Sequence, residues 1–215
     1  MKEIHWMGDI AALIVCLAVL GIYHVYLYRK IRREPMATSI GVTEHLRREW
    51  VRVVMTERRD VLAVQTLRNW VMAASFLAST AILICLGVLN AAFRMGTLAD
   101  VSLSLNWLGS RHETVWMVKL MVLSVTFLSA FFNFILAIRY FNHASFGLGL
   151  PDCADCLGSH DFVAGIVRRG SLHYTVGMRG YYLAIPLTFW LFGPLWMLAA
   201  TLVLLVVIYQ LDRKA

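Results

Sequence analysis

The stretch "NWVMAASFLASTAILICLGVLNAA", residues 69–92, runs 24 residues without one charged side chain. A helix rises about 1.5 Å per residue, so about 20 apolar residues cover the roughly 30 Å of hydrocarbon in a bilayer. The stretch therefore reads as a membrane span. Three further runs of comparable length and character lie at residues 6–28, 114–141 and 181–209. The expected fold is all-α: a four-transmembrane-helix bundle with amphipathic interfacial helices in two cytoplasmic loops. Residues 1–215 form one integral membrane domain.

Composition agrees. Hydrophobic residues make up 60% of the 215 and charged residues only 15%, whereas soluble domains carry about 25% charged residues. The mean hydropathy is +0.67. The net charge of +7 is clustered between the spans, which favours a membrane surface over nucleic acid as partner. Cys16 and Cys85 lie within apolar runs and pack as small hydrophobes, and no disulfide framework is visible.

Basic residues set the expected orientation. Residues 29–68 hold ten of the twenty Lys and Arg, and residues 139–180 hold four more. By the positive-inside rule both segments are cytoplasmic, which puts both termini outside, in the periplasm of a bacterial inner membrane. The first run is followed, not preceded, by Arg29, Lys30, Arg32 and Arg33, so it reads as an uncleaved anchor rather than a signal peptide.

The loops carry patterns of their own. "EHLRREWVRVVMTERRDVLAVQ" (44–65) sets Leu46, Trp50, Val53, Val54, Val61 and Leu62 near helical spacing between arginines. This predicts a basic amphipathic helix on the inner leaflet. No Gly or Pro interrupts residues 43–92 before Gly87, so that helix is expected to run on into the second span. Residues 162–176 predict a second interfacial helix, with Arg168 and Arg169 reaching head groups. Pro194, near the middle of the fourth run, predicts a kink.

Polar residues inside spans are costly and face other helices. Asp9 and Lys119 sit at matched depth toward the outer side and are expected to pair. Toward the inner side, Arg68, Asn69, Asn133, Arg139, Asn142 and His143 form a candidate cluster, near His24, Tyr140 and Tyr181. It can hold a lipid phosphate or another anion, or it can bond loop carbonyls and fix the loop after the third span against the bundle. Arg139 lies on the opposite helix face from Lys119 and Asn133 and cannot join their stripe. "CADCLGSH" offers Cys153, Cys156 and His160 to a metal, with Asp161 or His173 as further donors, but the second ligand pair of a zinc site is missing. His24 and His143 share a depth that haem would require. Neither suggestion carries a cofactor expectation: none is expected, and no metal. No paired intramembrane carboxylates, GxSxG, HExxH or phosphate-cradling loop occurs, which leans against an enzyme.

Three segments occur in order: "VLAVQTLRNWVMAASFLASTAIL" (61–83), "IRYFNHASF" (138–146) and "RRGSLHYTVGMRGYYLAIPLTFWLFGP" (168–194). Together they resemble the bacterial and plant membrane family called domain of unknown function 599, over roughly residues 50–194. The matching residues are Gln65, Arg68, Asn69, Arg139, Tyr140, Asn142, His143, Gly170, Ser171, Arg179, Gly193 and Pro194. Residues 153–160 fall outside any such pattern. The resemblance implies a four-span membrane protein and no established activity. The expected role is a non-enzymatic accessory or structural subunit of a larger membrane complex. The alternative is a membrane protein that binds or transports a lipid or small anion. Expected partners are membrane lipids and other membrane subunits or further copies of the chain, not nucleic acid.

Overall fold

The computed structural model describes residues 2–93, 113–150 and 159–213. Among them there is no strand. The order is α1 (Lys2–Arg33), a 3-10 turn (Pro35–Ala37), α2 (Ser39–Thr56), α3 (Asp60–Phe93), α4 (Glu113–Leu148), α5 (His160–Trp190) and α6 (Pro194–Asp212). Four stretches are long and apolar enough to cross a membrane: Met7–Arg33, Asp60–Phe93, Glu113–Leu148 and Pro194–Asp212.

The remaining long helix, α5, is what the sequence reading missed. Residues 162–176 do not form a separate interfacial helix; they are the first half of one 31-residue helix. It runs antiparallel to α4 at every level. Val163 meets Gly147, Phe141 meets Gly170, Phe134 meets Gly177, and Ala130 meets Gly180; Lys119 reaches Trp190 at the far end. The pairs Phe141–Gly170 and Phe134–Gly177 step by seven residues on both helices, the repeat that keeps one seam facing its partner. A methyl group added at Gly170 or Gly177 would lie 2.8 Å from a phenylalanine ring atom. Glycine here allows close approach of the two helices.

The expected kink at Pro194 is instead a reversal. Helix α5 stops at Trp190, and α6 starts afresh at Pro194 after Gly193, whose φ is 135°. Glycine reaches that backbone region without a Cβ penalty, and proline at the first helical position is already set at helical φ. Helix α6 then returns alongside α5 and α1. Thr201 Oγ1 donates to Cys16 Sγ at 3.1 Å, and Asp212 lies against Tyr23 of α1 and Arg179 of α5. Just beyond it Arg213 forms an isolated bridge with Thr38 in the first linker. The end of α6 therefore lies at the opposite end of the molecule from Asp9. The reversal adds a pass of the chain along the molecule, between the Trp190 end and the Asp212 end.

Helix α2 is capped by Thr38, whose hydroxyl oxygen accepts from the Gly41 amide at 3.2 Å, the usual way an orphan amide of the first turn is satisfied. It does not run on into α3. Arg58, at φ 50°, breaks the path between them. Its apolar side is covered by protein: Val51, Val54 and Met55 are buried with Leu67 of α3, Phe141 of α4 and Val163 of α5. Burial of each such valine or leucine contributes about 1.5–3 kcal/mol. Leu46, Val61 and Leu62 of the expected stripe remain exposed.

Candidate functional site: a basic cleft between α1, α2 and α5

The inner cluster expected from sequence separates. Arg68, Asn69, Arg139, Asn142 and His143 are exposed, and among the described residues none of their side chains hydrogen-bonds to α5. The loop that Arg139, Asn142 and His143 are expected to latch includes residues 151–158, which lie outside the described residues. Asn133 alone reaches α5: its Oδ1 lies 3.0 Å from His173 Nδ1. Tyr140 stacks on the same imidazole at 5.5 Å between ring centroids. Amphipathic position explains the split. The helix face that carries Phe134, Ala137, Phe141 and Ala144 is filled by apolar packing, which leaves the flanking polar residues outside.

The outer pair comes together. Lys119 Nζ lies 2.8 Å from Asp9 Oδ1 and donates to the Trp190 carbonyl at 3.1 Å. Trp190 Nε1 donates to Asp9 Oδ1 at 2.9 Å. The Trp190 carbonyl also accepts from the Gly193 amide at 3.1 Å, so the ammonium adds a second donor where the helix is interrupted.

The metal and haem suggestions gain nothing. Cys153 and Cys156 lie outside the described residues, and among the described residues no three His, Cys, Asp or Glu side chains are grouped to hold a metal. His160 sits 3.8 Å from the Asp161 carboxylate. Both nitrogens of His24 are engaged: Nδ1 donates to the Leu20 carbonyl at 2.7 Å, and Nε2 accepts from Arg179 Nη1 at 2.7 Å.

The structure instead offers a cleft of about 680 Å³ between the second half of α1, helix α2 and the first half of α5. Volumes of 300–1,000 Å³ are typical of small-molecule sites. Leu27, Ile31, Ile40, Leu172 and Val176 supply apolar walls, and Arg47, Arg48, Arg168 and Arg179 supply cations. Two ion pairs hold α2 to α5 at its rim, Arg48–Asp161 at 2.8 Å and Arg168–Glu44 at 2.7 Å. The guanidinium of Arg48 beside it holds the Asp161 carboxyl below its ordinary range. At the other end Arg179 Nη2 donates to both carboxylate oxygens of Asp212 at 2.9 Å, and Tyr23 donates to the same group at 2.8 Å.

Two polar atoms in this cleft have no partner. Arg47 Nε and Ser171 Oγ are buried and make no hydrogen bond. Arg47 lays its guanidinium over the Trp70 ring, 4.9 Å from the centroid, and burial pushes it below its ordinary pKa, with Glu44 opposing. Buried donors without acceptors cost about 1–3 kcal/mol each, so they mark a place where an acceptor is wanted. Ser171 and Arg179 had drawn notice in the sequence only as residues of the family resemblance, and Arg47 only as one more basic residue of its loop. Their convergence depends on α2 docking against α5, and no spacing within either segment signals it.

A helical membrane protein with a basic, half-apolar cleft at one end is thus the class that fold and site define. A family model described as "Protein of unknown function, DUF599" matches residues 11–215, and the chain belongs to that family. No curated protein and no solved structure matches it.

Proposed function

We propose that this protein binds an anionic amphiphile in the α1–α2–α5 cleft, at the level of the inner leaflet. The observation that carries this reading is the lining of the cleft, where the Arg47 guanidinium stands without a carboxylate partner beside apolar walls. An anionic head group pairs with Arg47, and its chain occupies the space beside Leu27, Leu172 and Val176. The basic residues at this end of the molecule support a cytosolic orientation in a bacterial inner membrane. In that orientation α1, α3, α4, α5 and α6 each cross, with α1 beginning outside and α6 ending inside. Helix α5 crosses despite its polar half because it lies along α4 throughout. An accessory role in a larger complex has no comparable support, since exposed apolar faces such as those of α3 suit lipid as well as protein.

Gly165 lines the cleft and faces open space, with nothing within 4 Å of a Cβ built there. Gly165→Phe should fill the cleft without disturbing the packing. Native mass spectrometry of protein released from nanodiscs of mixed lipid should show anionic amphiphile retained on the wild type and lost from Gly165→Phe, at unchanged lipid-free melting temperature. Equal retention by both would overturn the reading.

A further inference from the structure

We infer that the cleft is matched to a head group bearing a single negative charge, seated at Arg47; this rests on the cleft reading above and names the ligand class. The charges pair off one to one. Arg48 has Asp161, Arg168 has Glu44, and Arg179 has Asp212, all at 2.7–2.9 Å. Both ring nitrogens of His24 have partners, the Leu20 carbonyl and Arg179. Among the described residues Arg47 is the one guanidinium of the cleft without a carboxylate of its own. One cation is therefore left over, and a buried charge is tolerated when it is paired and hydrogen-bonded.

The seat has a second feature. A serine within a helix ordinarily turns its hydroxyl back to the carbonyl four residues earlier, as Thr175 does toward Ser171 at 2.9 Å. Ser171 does not, although it is 4% exposed. Its hydroxyl is left unpartnered behind the cleft wall. A singly charged oxyanion pairs with the Arg47 guanidinium and leaves no charge uncompensated. A zwitterionic head brings a second cation to a site that already has a surplus one. A doubly charged phosphomonoester leaves a negative charge unmatched in the cleft. The shared chemistry is a monoanion on an apolar chain, which a phosphodiester lipid and a fatty carboxylate both provide.

The test is a binding titration of full-length protein by native mass spectrometry, at about pH 8, where a phosphomonoester carries close to two charges. The probes are phosphatidylglycerol, a long-chain fatty acid, phosphatidic acid and phosphatidylcholine. The wild type should favour one of the two monoanions over phosphatidylcholine and phosphatidic acid by about tenfold, the scale of one charged hydrogen bond. Which monoanion wins identifies the source. Arg47→Gln should lose the preference over phosphatidylcholine, whereas Arg47→Lys, which keeps the charge, should retain it. Glu44→Gln removes one carboxylate from the rim and should move the preference toward phosphatidic acid. If Glu44→Gln leaves the order of head groups unchanged while Gly165→Phe still abolishes binding, the charge matching is wrong and the cleft reading stands. If the wild type retains no probe, the cleft reading itself fails.

Discussion

Lys119 and Asp9 meet at 2.8 Å with side chains only 2% and 1% exposed. The pair joins α1 to α4, and Trp190 ties both to the end of α5. Removing one partner leaves an uncompensated buried charge, which costs about 3–5 kcal/mol, whereas replacing both with apolar residues is often close to neutral. Asp9→Leu and Lys119→Met should each lower the melting temperature strongly in a fixed detergent, and the double variant should recover most of the loss. Single variants as stable as the wild type would show that the pair does not hold the three helices.

Gly193 and Pro194 reverse the chain, and the Arg213–Thr38 bridge places the end of α6 beside the first linker. Accessibility reporters appended before residue 1 and after residue 215 should therefore report opposite sides of the membrane. Both reporters on one side would contradict the reversal and restore a single kinked span.

Phe134 cannot retreat from Gly177, because its ring is packed against Tyr174 and Tyr181 at 5.7 and 5.8 Å. Gly177→Ala should cost about 1–3 kcal/mol, the usual penalty for overpacking. Adding Phe134→Leu should restore part of it in thermal melts. A Gly177→Ala variant at least as stable as the wild type would show that α4 and α5 do not approach this closely.

Arg179 holds two oxygens of Asp212 and also donates to His24. A lysine ammonium is a point charge and cannot reproduce that fork. Arg179→Lys should lose about 1–3 kcal/mol, and Tyr23→Phe, which removes one neutral donor to the same carboxylate, about 1 kcal/mol. Denaturant unfolding in mixed micelles ranks the two, and the reverse ranking would count against the fork.

The apolar spans around residues 69–92 and 114–141 were readable because composition alone decides them. Helix α5 was not, since Arg168, Arg169, His173 and Arg179 break its apolar pattern and make its first half resemble a loop. Its polarity is tolerated because α2 and α1 cover it. The reversal did leave a signal: glycine directly before proline is also a helix-start signature, and the length of the apolar run from 181 to 209 outweighed it. Asp9 with Lys119 was readable from depth and charge. The cleft was not, because Arg47 of α2 and Ser171 of α5 come to line it only through the docking of α2.

The partners of Arg179 come from both extremes of the chain: His24 stands 155 residues before it and Asp212 stands 33 after it. On the ribosome α5 therefore emerges with its imidazole partner already inserted and its counter-ion not yet made. Only three residues separate α5 from α6, too few for the two to enter the membrane independently. In the orientation proposed above, the two enter as one helical hairpin, with the guanidinium kept at the head groups until the last turn of α6 arrives. Insertion then finishes with a charge-neutralising step rather than a purely hydrophobic one.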